Sequence, residues 1–421
     1  MHPREAKRWE ASLSRREFLR RSTGTVLALS GSSLLLGACQ ERDGGGSPSG
    51  IPSATPGGRV ELPTYDDNPA VQDGLSPEAG PLRIFSWNDY VYKKVLQRFQ
   101  DEFSVEIEYT GFGSMAEGIN KVENQVVDFD LFFPETQYIG NLALAKLIQP
   151  LNQSYLPNFT AHIWPELHDP YYDGGAQYSV PYLTWKTGVG YRRDMVASEP
   201  IGDAPTAFGM AWDRQYKGLV GAIDGYRDTI AMALLRNGGD DVNSSDPEEI
   251  DAAKQALLEL NDLVGVNIGT SGYQALAEGT HAIQVSQWSG DMNWVRYYLP
   301  KGTSVDVVGF YYPPGGVVGN DAMVISRTSS NPVLAHEFMN FLMDPVNALD
   351  NFGYEGYQPP LVGIETSEWL EKGNIPENLQ TTIVTGEDFD TGQQLQRLTP
   401  EVDQMWQDAW AEFISGAKAS S

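Results

Sequence analysis

The hydrophobic and polar positions of this chain follow two periods in turn, which predicts strands and helices in regular succession. Residues 82–87 alternate as a strand does, residues 92–103 carry apolar side chains at helical spacing, and residues 105–109 alternate again. A second helical pattern at 115–126 precedes a short apolar run at 129–133. This order is typical of a parallel α/β sheet with right-handed crossovers, in which ligands bind where the strands end.

The later part of the chain shows the same two kinds of pattern. A helix is predicted to begin at Pro247, because Asp246 is a good N-cap and two glutamates that complement the helix dipole follow. A further helix opens at 331–332, and the glycines of 315–319 are interpreted as a turn between domains. Extended segments are predicted at 178–182, 188–191, 305–312 and 321–325.

The first forty residues carry an export pattern. A twin arginine at 15–16 precedes a modestly apolar stretch at 26–36, which ends in small residues just before Cys39. The stretch is too short for the ~20 apolar residues of a membrane-spanning helix. It resembles a twin-arginine signal peptide joined to a lipoprotein cleavage site, so we expect residues 1–38 to be removed and Cys39 to carry lipid. The Gly-, Ser- and Pro-rich residues 39–80 are predicted to form a flexible tether.

Charge and rare residue types argue against several functions. The formal net charge of −27 repels nucleic acid and anionic lipid and favours small cations, although a need for solubility would also explain it. Cys39 is the only cysteine, so intrachain disulfides and thiolate metal clusters are excluded, and with five scattered histidines no metal or cofactor is expected. The familiar hydrolase, phosphate-loop and zinc-protease motifs are missing, while the abundant carboxylates leave a catalytic pair open.

Four segments, in order and correctly spaced, resemble the spermidine/putrescine-binding proteins of bacterial ABC importers. They are Phe85-Ser86-Trp87-Asn88-Asp89-Tyr90-Val91; Phe129-Asp130-Leu131-Phe132-Phe133-Pro134 with Thr136 and Tyr138; Tyr178-Ser179-Val180-Pro181-Tyr182 with 216–218 and 246–250 downstream; and Asp321-Ala322-Met323-Val324-Ile325 with 338–342 and 353–360. The resemblance implies an α/β, two-lobed periplasmic-binding-protein fold, each lobe a mostly parallel sheet flanked by helices and joined to the other by crossing strands. Lobe 1 is assigned to 81–187 and 320–360, and lobe 2 to 188–319 and 361–421.

A polyamine site has a recognisable chemistry. Each buried ammonium needs a carboxylate, and the methylenes between can lie on aromatic rings, whose faces also attract cations. By the resemblance, Trp87 stacks on the aliphatic chain, with Asp89 and Tyr90 at an amine end. Trp288 floors the site, and Asp321 is the central ammonium-binding carboxylate. Core packing for Trp87 and a structural turn role for Asp321 are the alternatives.

The remaining family positions are less distinctive. Thr136 and Tyr138 follow a loop where the family places a small polar contact and an aromatic ring. Asp228 matches one of two acids of the second lobe, with a surface charge as the alternative. Either Tyr354 or Tyr357 supplies another ring, and the other tyrosine then serves packing.

The chain also departs from the family pattern. Gly225 stands where the family has its second acid, and Gly319 where it has a tryptophan. Glu135 replaces a small loop residue and is either an extra carboxylate for an amine or a solvated charge. The loss of an acid and a ring implies one of two things. The ligand is a shorter or different amine, or Glu135 or Glu355 compensates for the missing family residues.

We therefore expect a lipid-anchored, extracytoplasmic and monomeric receptor rather than an enzyme. It would deliver a polyamine-like cation to an ABC permease and its ATPase. A protein of the same fold for another small solute, such as an amino-acid derivative or a sugar, is the first alternative. An extracytoplasmic hydrolase is the second, and a cleft with paired carboxylates and no surrounding aromatic rings would support it.

Overall fold

The computed structural model describes residues 59–363, 366–371, 373–416 and 418–419. Within these residues the strands form one mixed sheet in the order β10-β6-β5-β7-β4-β9-β3-β1-β2, with β8 paired to β4. The strands are β1 Leu82–Trp87, β2 Ile107–Phe112, β3 Leu131–Phe132, β4 Ser179–Arg192, β5 Val220–Ala222, β6 Asn267–Ile268, β7 Ile283–Trp288, β8 Val308–Tyr311, β9 Val317–Ile325 and β10 Lys418–Ala419.

Fifteen α-helices accompany these strands in the described residues. They are α1 Lys93–Phe103, α2 Met115–Glu123, α3 Ile139–Leu144, α4 Pro157–His162, α5 Pro165–His168, α6 Ala204–Gly209, α7 Tyr226–Arg236, α8 Pro247–Val264, α9 Gly272–Glu278, α10 Val295–Tyr298, α11 Pro332–Leu342, α12 Pro345–Glu355, α13 Thr366–Glu371, α14 Gly386–Thr391 and α15 Pro400–Gly416. Single 3₁₀ turns include Thr136–Tyr138 and Gly290–Trp294. No helix in the described part of the chain combines the length and the apolar character that crossing a bilayer requires.

The predicted parallel unit is present at one end of the sheet. β1 has the predicted bounds and pairs in parallel with β2 and β3, while α1 and α2 provide the crossovers. Val95 and Phe99 of α1 are fully buried, as the helical spacing of the apolar residues predicts. The second strand begins two residues later than predicted and extends to Phe112.

Two long strands occupy the middle of the sheet. β4 and β9 pair antiparallel, and every residue of both strands is buried. β4 also pairs with β7 and β8, so it connects the β1–β2–β3 group to the parallel strands β5, β6 and β7. The two predicted extended segments at 178–182 and 188–191 therefore belong to one continuous strand.

The glycine-rich segment was predicted as a turn, and that prediction is wrong for its second half. Gly315 does lie in a turn, with φ of +71°, and Gly316 N–H donates to the carbonyl of Pro313. Val317 already begins β9, and the strand continues through Gly319. The pairing of this stretch with β4 satisfies its backbone groups, which a local glycine count does not predict.

The helix starts follow their capping signals. Asp246 accepts a hydrogen bond from the backbone of Glu248, Pro247 occupies the first turn, and Gly265 ends α8 in the left-handed conformation. The helix at 332 is also observed, as α11.

The prediction of a flexible tether over 39–80 is wrong for 59–80. Val60 and Leu62 are buried, and the backbone of Val60 pairs with the carbonyl of Tyr171. The side chain of Asn68 donates to the carbonyl of Ile148 over 2.9 Å. A few apolar residues between the prolines therefore suffice to fix this segment against the sheet. Residues 39–58 lie outside the described part, as do the predicted signal peptide and Cys39.

Candidate functional site

A cavity of about 240 Å³ lies where β1 and β7 end, beside the middle of β9. Nine aromatic and five acidic side chains line it, together with four small or polar residues, and none of these lining residues is basic. The lining consists of Trp87, Asn88, Asp89, Tyr90, Phe112, Gly113, Glu135, Trp185, Thr270, Ser271, Tyr273, Trp288, Asp291, Trp294, Tyr298, Asp321, Glu355 and Tyr357. Strand ends of both parallel groups thus contribute to a single concave surface.

The turn after β1 supplies one part of this surface. Trp87 is the last residue of the strand, and the backbone of Asn88 still donates to the carbonyl of Phe112. Asp89 has a φ of +58°, a left-handed conformation that aspartate tolerates better than most residues. The turn places Asp89 exposed and Tyr90 buried on the same cavity.

Asp321 is a cavity carboxylate that accepts hydrogen bonds from two aromatic side chains. It lies in β9 and is 4% exposed. Its Oδ2 accepts a hydrogen bond from the hydroxyl of Tyr90, and its Oδ1 accepts one of 3.0 Å from Nε1 of Trp185. Burial raises the pKa of Asp321 to about 7, although both hydrogen bonds oppose the rise.

Two further carboxylates lie near Asp321. Burial, followed by the charge of Asp321, raises the pKa of both Glu135 and Glu355 well above the ordinary value. Oε1 of Glu355 accepts a hydrogen bond from Asn351, whereas its buried Oε2 has no hydrogen-bond partner among the described residues. In that part of the chain no cluster of His, Cys, Asp or Glu is arranged to hold a metal ion. The lining is therefore rich in carboxyl groups and has no basic side chain beside them.

A further carboxyl group of the cavity belongs to Asp291, in the turn after β7. Its Oδ1 accepts a hydrogen bond of 2.9 Å from the hydroxyl of Tyr357. Burial raises the pKa of Asp291 to about 7. The ring of Tyr357 lies directly on Gly290, where a Cβ atom would come within 2.4 Å of three ring carbons. Glycine at 290 is thus required for this tyrosine to reach the cavity.

Aromatic rings form the walls between these acids. The indoles of Trp87 and Trp288 meet edge to face with centroids 6.0 Å apart. The rings of Tyr90 and Tyr357 meet in the same way, also at 6.0 Å. Nε1 of Trp87 is buried and has no hydrogen-bond partner among the described residues.

Seven of the eleven residues predicted to bind a ligand line this cavity. They are Trp87, Asp89, Tyr90, Glu135, Trp288, Asp321 and Tyr357. Glu135 is 9% exposed, so of its two predicted settings the solvated loop charge does not apply.

The other four predicted residues are not part of the lining. Oδ1 of Asp228 accepts hydrogen bonds from Nε1 of Trp288 and the hydroxyl of Thr187. Thr136 and Tyr138 belong to the 3₁₀ turn after β3, and Tyr138 packs in the core beneath it. Tyr354 stacks on Tyr92 with centroids 4.6 Å apart.

Sequence reasoning missed Trp185, which lies opposite Gly319 in the β4–β9 pairing. The aromatic ring that the family pattern places at 319 is absent, but an indole from the neighbouring strand occupies the adjoining space. The only available signal was a tryptophan within a strand, which core packing explains equally well.

Asp291, Trp294, Tyr273 and Tyr298 were also missed. Asp291 stands three residues after Trp288, so the same loop contained a signal for it. The other three come from α9, α10 and the 3₁₀ turn between β7 and α10, and nothing in their local sequence separates them from packing residues.

Comparisons with known proteins agree with this architecture. A family model of bacterial extracellular solute-binding proteins matches residues 94–377. The spermidine/putrescine-binding periplasmic protein of Escherichia coli (strain K12) is 28% identical over 280 residues, covering 66% of this chain and 77% of that protein. The putrescine-binding periplasmic protein PotF of the same organism is 24% identical over 364 residues, covering 81% and 93%.

A solved structure extends the comparison to the fold. The spermidine/putrescine ABC transporter substrate-binding protein PotD from Streptococcus pneumoniae superposes with a TM-score of 0.64 at 23% identity, covering 80% of this chain and 98% of that one. The resemblance predicted from the four segments and the periplasmic-binding-protein fold class are both confirmed.

Proposed function

We propose that this chain, which belongs to the bacterial extracellular solute-binding proteins, captures a linear polyamine such as putrescine or spermidine in the cavity beside Asp321. Its family consists of solute-binding proteins, and its relatives are periplasmic. The comparisons therefore support extracytoplasmic solute binding. The choice of a polyamine as the solute rests on the chemistry of the cavity. The observation that carries the proposal is a lining with five carboxyl groups and no basic side chain.

The charge balance favours a cation with more than one positive group. Buried carboxylates are costly to ionise without a partner, which is why burial raises the pKa values of Asp321, Asp291 and Glu355. A primary ammonium has three donors and no acceptor, so it can bind several carboxylate oxygens at once. Asp321 and Asp291 are held by different tyrosines, which gives the two ends of a diamine separate anionic partners.

The aromatic walls suit the rest of such a molecule. Methylene groups pack on ring faces, and ammonium groups near a ring face gain a further ~0.5–2 kcal/mol. Trp87 and Trp288 come from the ends of β1 and β7 and meet at the cavity. A sugar, in contrast, carries no positive charge that could balance the five acids of this lining.

Two alternatives are separated by direct experiment. Another small solute, such as an amino-acid derivative or a sugar, would use the same fold. A hydrolase is disfavoured, because nine aromatic rings surround the acids and the family binds solutes. Isothermal titration of the full chain in detergent with putrescine, spermidine and the uncharged 1,4-butanediol tests polyamine binding against both alternatives. Heat with an amine and none with the diol supports the proposal, and no heat with either amine removes it.

The proposal includes the cellular setting. Residues 1–38 direct export, and lipid on Cys39 holds the protein at the outer face of the cytoplasmic membrane. Lobes assigned to 81–187 with 320–360 and to 188–319 with 361–421 close on the amine and present it to an ABC permease. The position of the cavity at strand ends of both parallel groups supports this closure.

A further inference from the structure

One wall of the cavity depends on a pair of residues that face each other across two strands. Trp185 of β4 and Gly319 of β9 are directly opposite in the antiparallel register. A Cβ atom built on Gly319 would lie 2.8 Å from Cζ2 and 3.0 Å from Cη2 of the indole. A Cβ contact of 2.8 Å essentially never occurs in real structures, so a side chain at 319 and this position of the indole exclude each other.

The same indole has two further contacts that bear on the ligand. It lines the cavity, and its Nε1 donates to Oδ1 of Asp321 over 3.0 Å. The next residue, Lys186, points to the other side of the strand and forms a salt bridge with Asp388. Trp185 is thus the residue of this stretch whose side chain is directed to the acids of the cavity.

We infer that Trp185 and Gly319 act as a matched pair, in which the indole from β4 forms the ligand wall above β9 and holds Asp321 in position. Trp185 is then a specificity-determining and positioning residue, and the lack of a side chain at Gly319 leaves room for its indole. This inference rests on the proposed function for its ligand. The bond between Trp185 and Asp321 can be tested without any ligand.

The bond has a signature in the pH dependence of stability. The folded pKa of Asp321, about 7, lies above its ordinary value of 3.8, so its contribution to stability is present at low pH and is lost as the pH rises through about 7. The indole N–H lowers this pKa, and its removal therefore costs more as the carboxylate ionises. Other titratable groups that act electrostatically with Asp321 are Tyr90, Glu135, Tyr172, Tyr182, Asp228, Glu355 and Tyr357.

The test compares Trp185→Phe with Trp406→Phe in the full chain. Trp406 is a fully buried tryptophan of α15 whose Nε1 donates to a backbone carbonyl, so it is a matched control outside the cavity. In Trp185→Phe we expect the deficit in melting temperature to grow from about pH 6 to about pH 8.5, and putrescine affinity at neutral pH to fall roughly tenfold. In Trp406→Phe the deficit stays constant with pH and the affinity is unchanged.

An exchange variant tests the pairing itself. Gly319→Ala alone displaces the indole, and we expect at least a tenfold loss of amine affinity. Trp185→Gly combined with Gly319→Trp restores the ring from the opposite strand and brings affinity back to within a few-fold of the original. Equal pH profiles for Trp185→Phe and the original chain, or an unaffected Gly319→Ala, overturn the inference. If the original chain binds no amine, the proposed function fails. The pH dependence of the melting temperatures still tests whether Trp185 bonds to Asp321.

Discussion

Nε1 of Trp288 donates a hydrogen bond of 3.1 Å to Oδ1 of Asp228, so this aspartate lies behind the indole that lines the cavity. The hydroxyl of Thr187 donates to the same oxygen over 2.7 Å. Asp228 is buried, at 4% exposure, and is not part of the lining. It contacts the lining through Trp288, and its charge also raises the pKa values of Asp321 and Glu135.

Replacement of Asp228 should consequently act through the indole. Asp228→Ala leaves the indole N–H without its acceptor and frees the ring, and we expect putrescine affinity to fall about tenfold. Trp288→Phe should cost a similar amount, and the double variant should cost little more than either change alone. Calorimetric titration measures all three. Losses that add fully would show that Asp228 affects the amine independently of Trp288.

Asp321 should be the most sensitive position. Asp321→Asn removes the charge that pairs with a buried ammonium, for which breaking a buried pair typically costs ~3–5 kcal/mol, or at least a hundredfold in affinity.

Asp173→Asn is the matched control for this change. Asp173 is also fully buried, and burial raises its pKa to about 6, but it lies outside the cavity lining and accepts backbone hydrogen bonds from Tyr178 and Ser179. We expect that variant to lose stability and to bind putrescine normally. An Asp321→Asn protein that binds as the original does would place the amine elsewhere.

Amine binding should strengthen as the pH rises. Without ligand, Asp321 and Asp291 have pKa values of about 7, and those of Glu135 and Glu355 are raised as well. A bound ammonium favours the ionised carboxylates, so binding releases protons and is opposed at low pH. The amines themselves stay protonated below about pH 9.

Titration between about pH 6 and about pH 8 measures this coupling. We expect affinity to increase with pH, by up to about tenfold per unit for each proton released. Repetition in buffers of different ionisation enthalpy counts the protons directly. Affinity that is constant across this range would mean that these carboxyl groups do not change protonation on binding.

The lipid anchor is tested by one substitution. Cys39→Ser removes the only thiol of the chain, and we expect the protein to leave the membrane fraction without a change in amine affinity. Detergent partitioning followed by titration checks both halves. Continued membrane retention would count against lipid on Cys39.

The periodic pattern of apolar residues predicted much of the fold, because it shows which face of a strand or helix is buried. The bounds of β1 and the start of α8 follow from alternation and capping, which depend on neighbouring residues alone. The continuity of β4 was not predicted, because a strand buried on both faces has no alternation to detect. The backbones of Val60 and Leu62 bond to Tyr171 and Gln177, which are more than a hundred residues away.

Part of the site was predictable because several of its residues match the family pattern. Trp87 at the end of β1 and Asp321 within β9 occupy positions that a family pattern fixes. Trp185 depends instead on register across two strands, since its role exists only opposite Gly319. Tyr357 reaches the cavity because Gly290, from another part of the chain, leaves room for its ring. Such pairings are set by tertiary structure and leave no trace in spacing.

The most direct test of the central claim is a crystal structure of the full chain with the amine that binds most tightly. We expect one terminal nitrogen within hydrogen-bond distance of Asp321 and the other near Asp291, with the methylenes against Trp87 and Trp288. An amine found outside this cavity, or one whose nitrogens contact neither aspartate, would contradict the account.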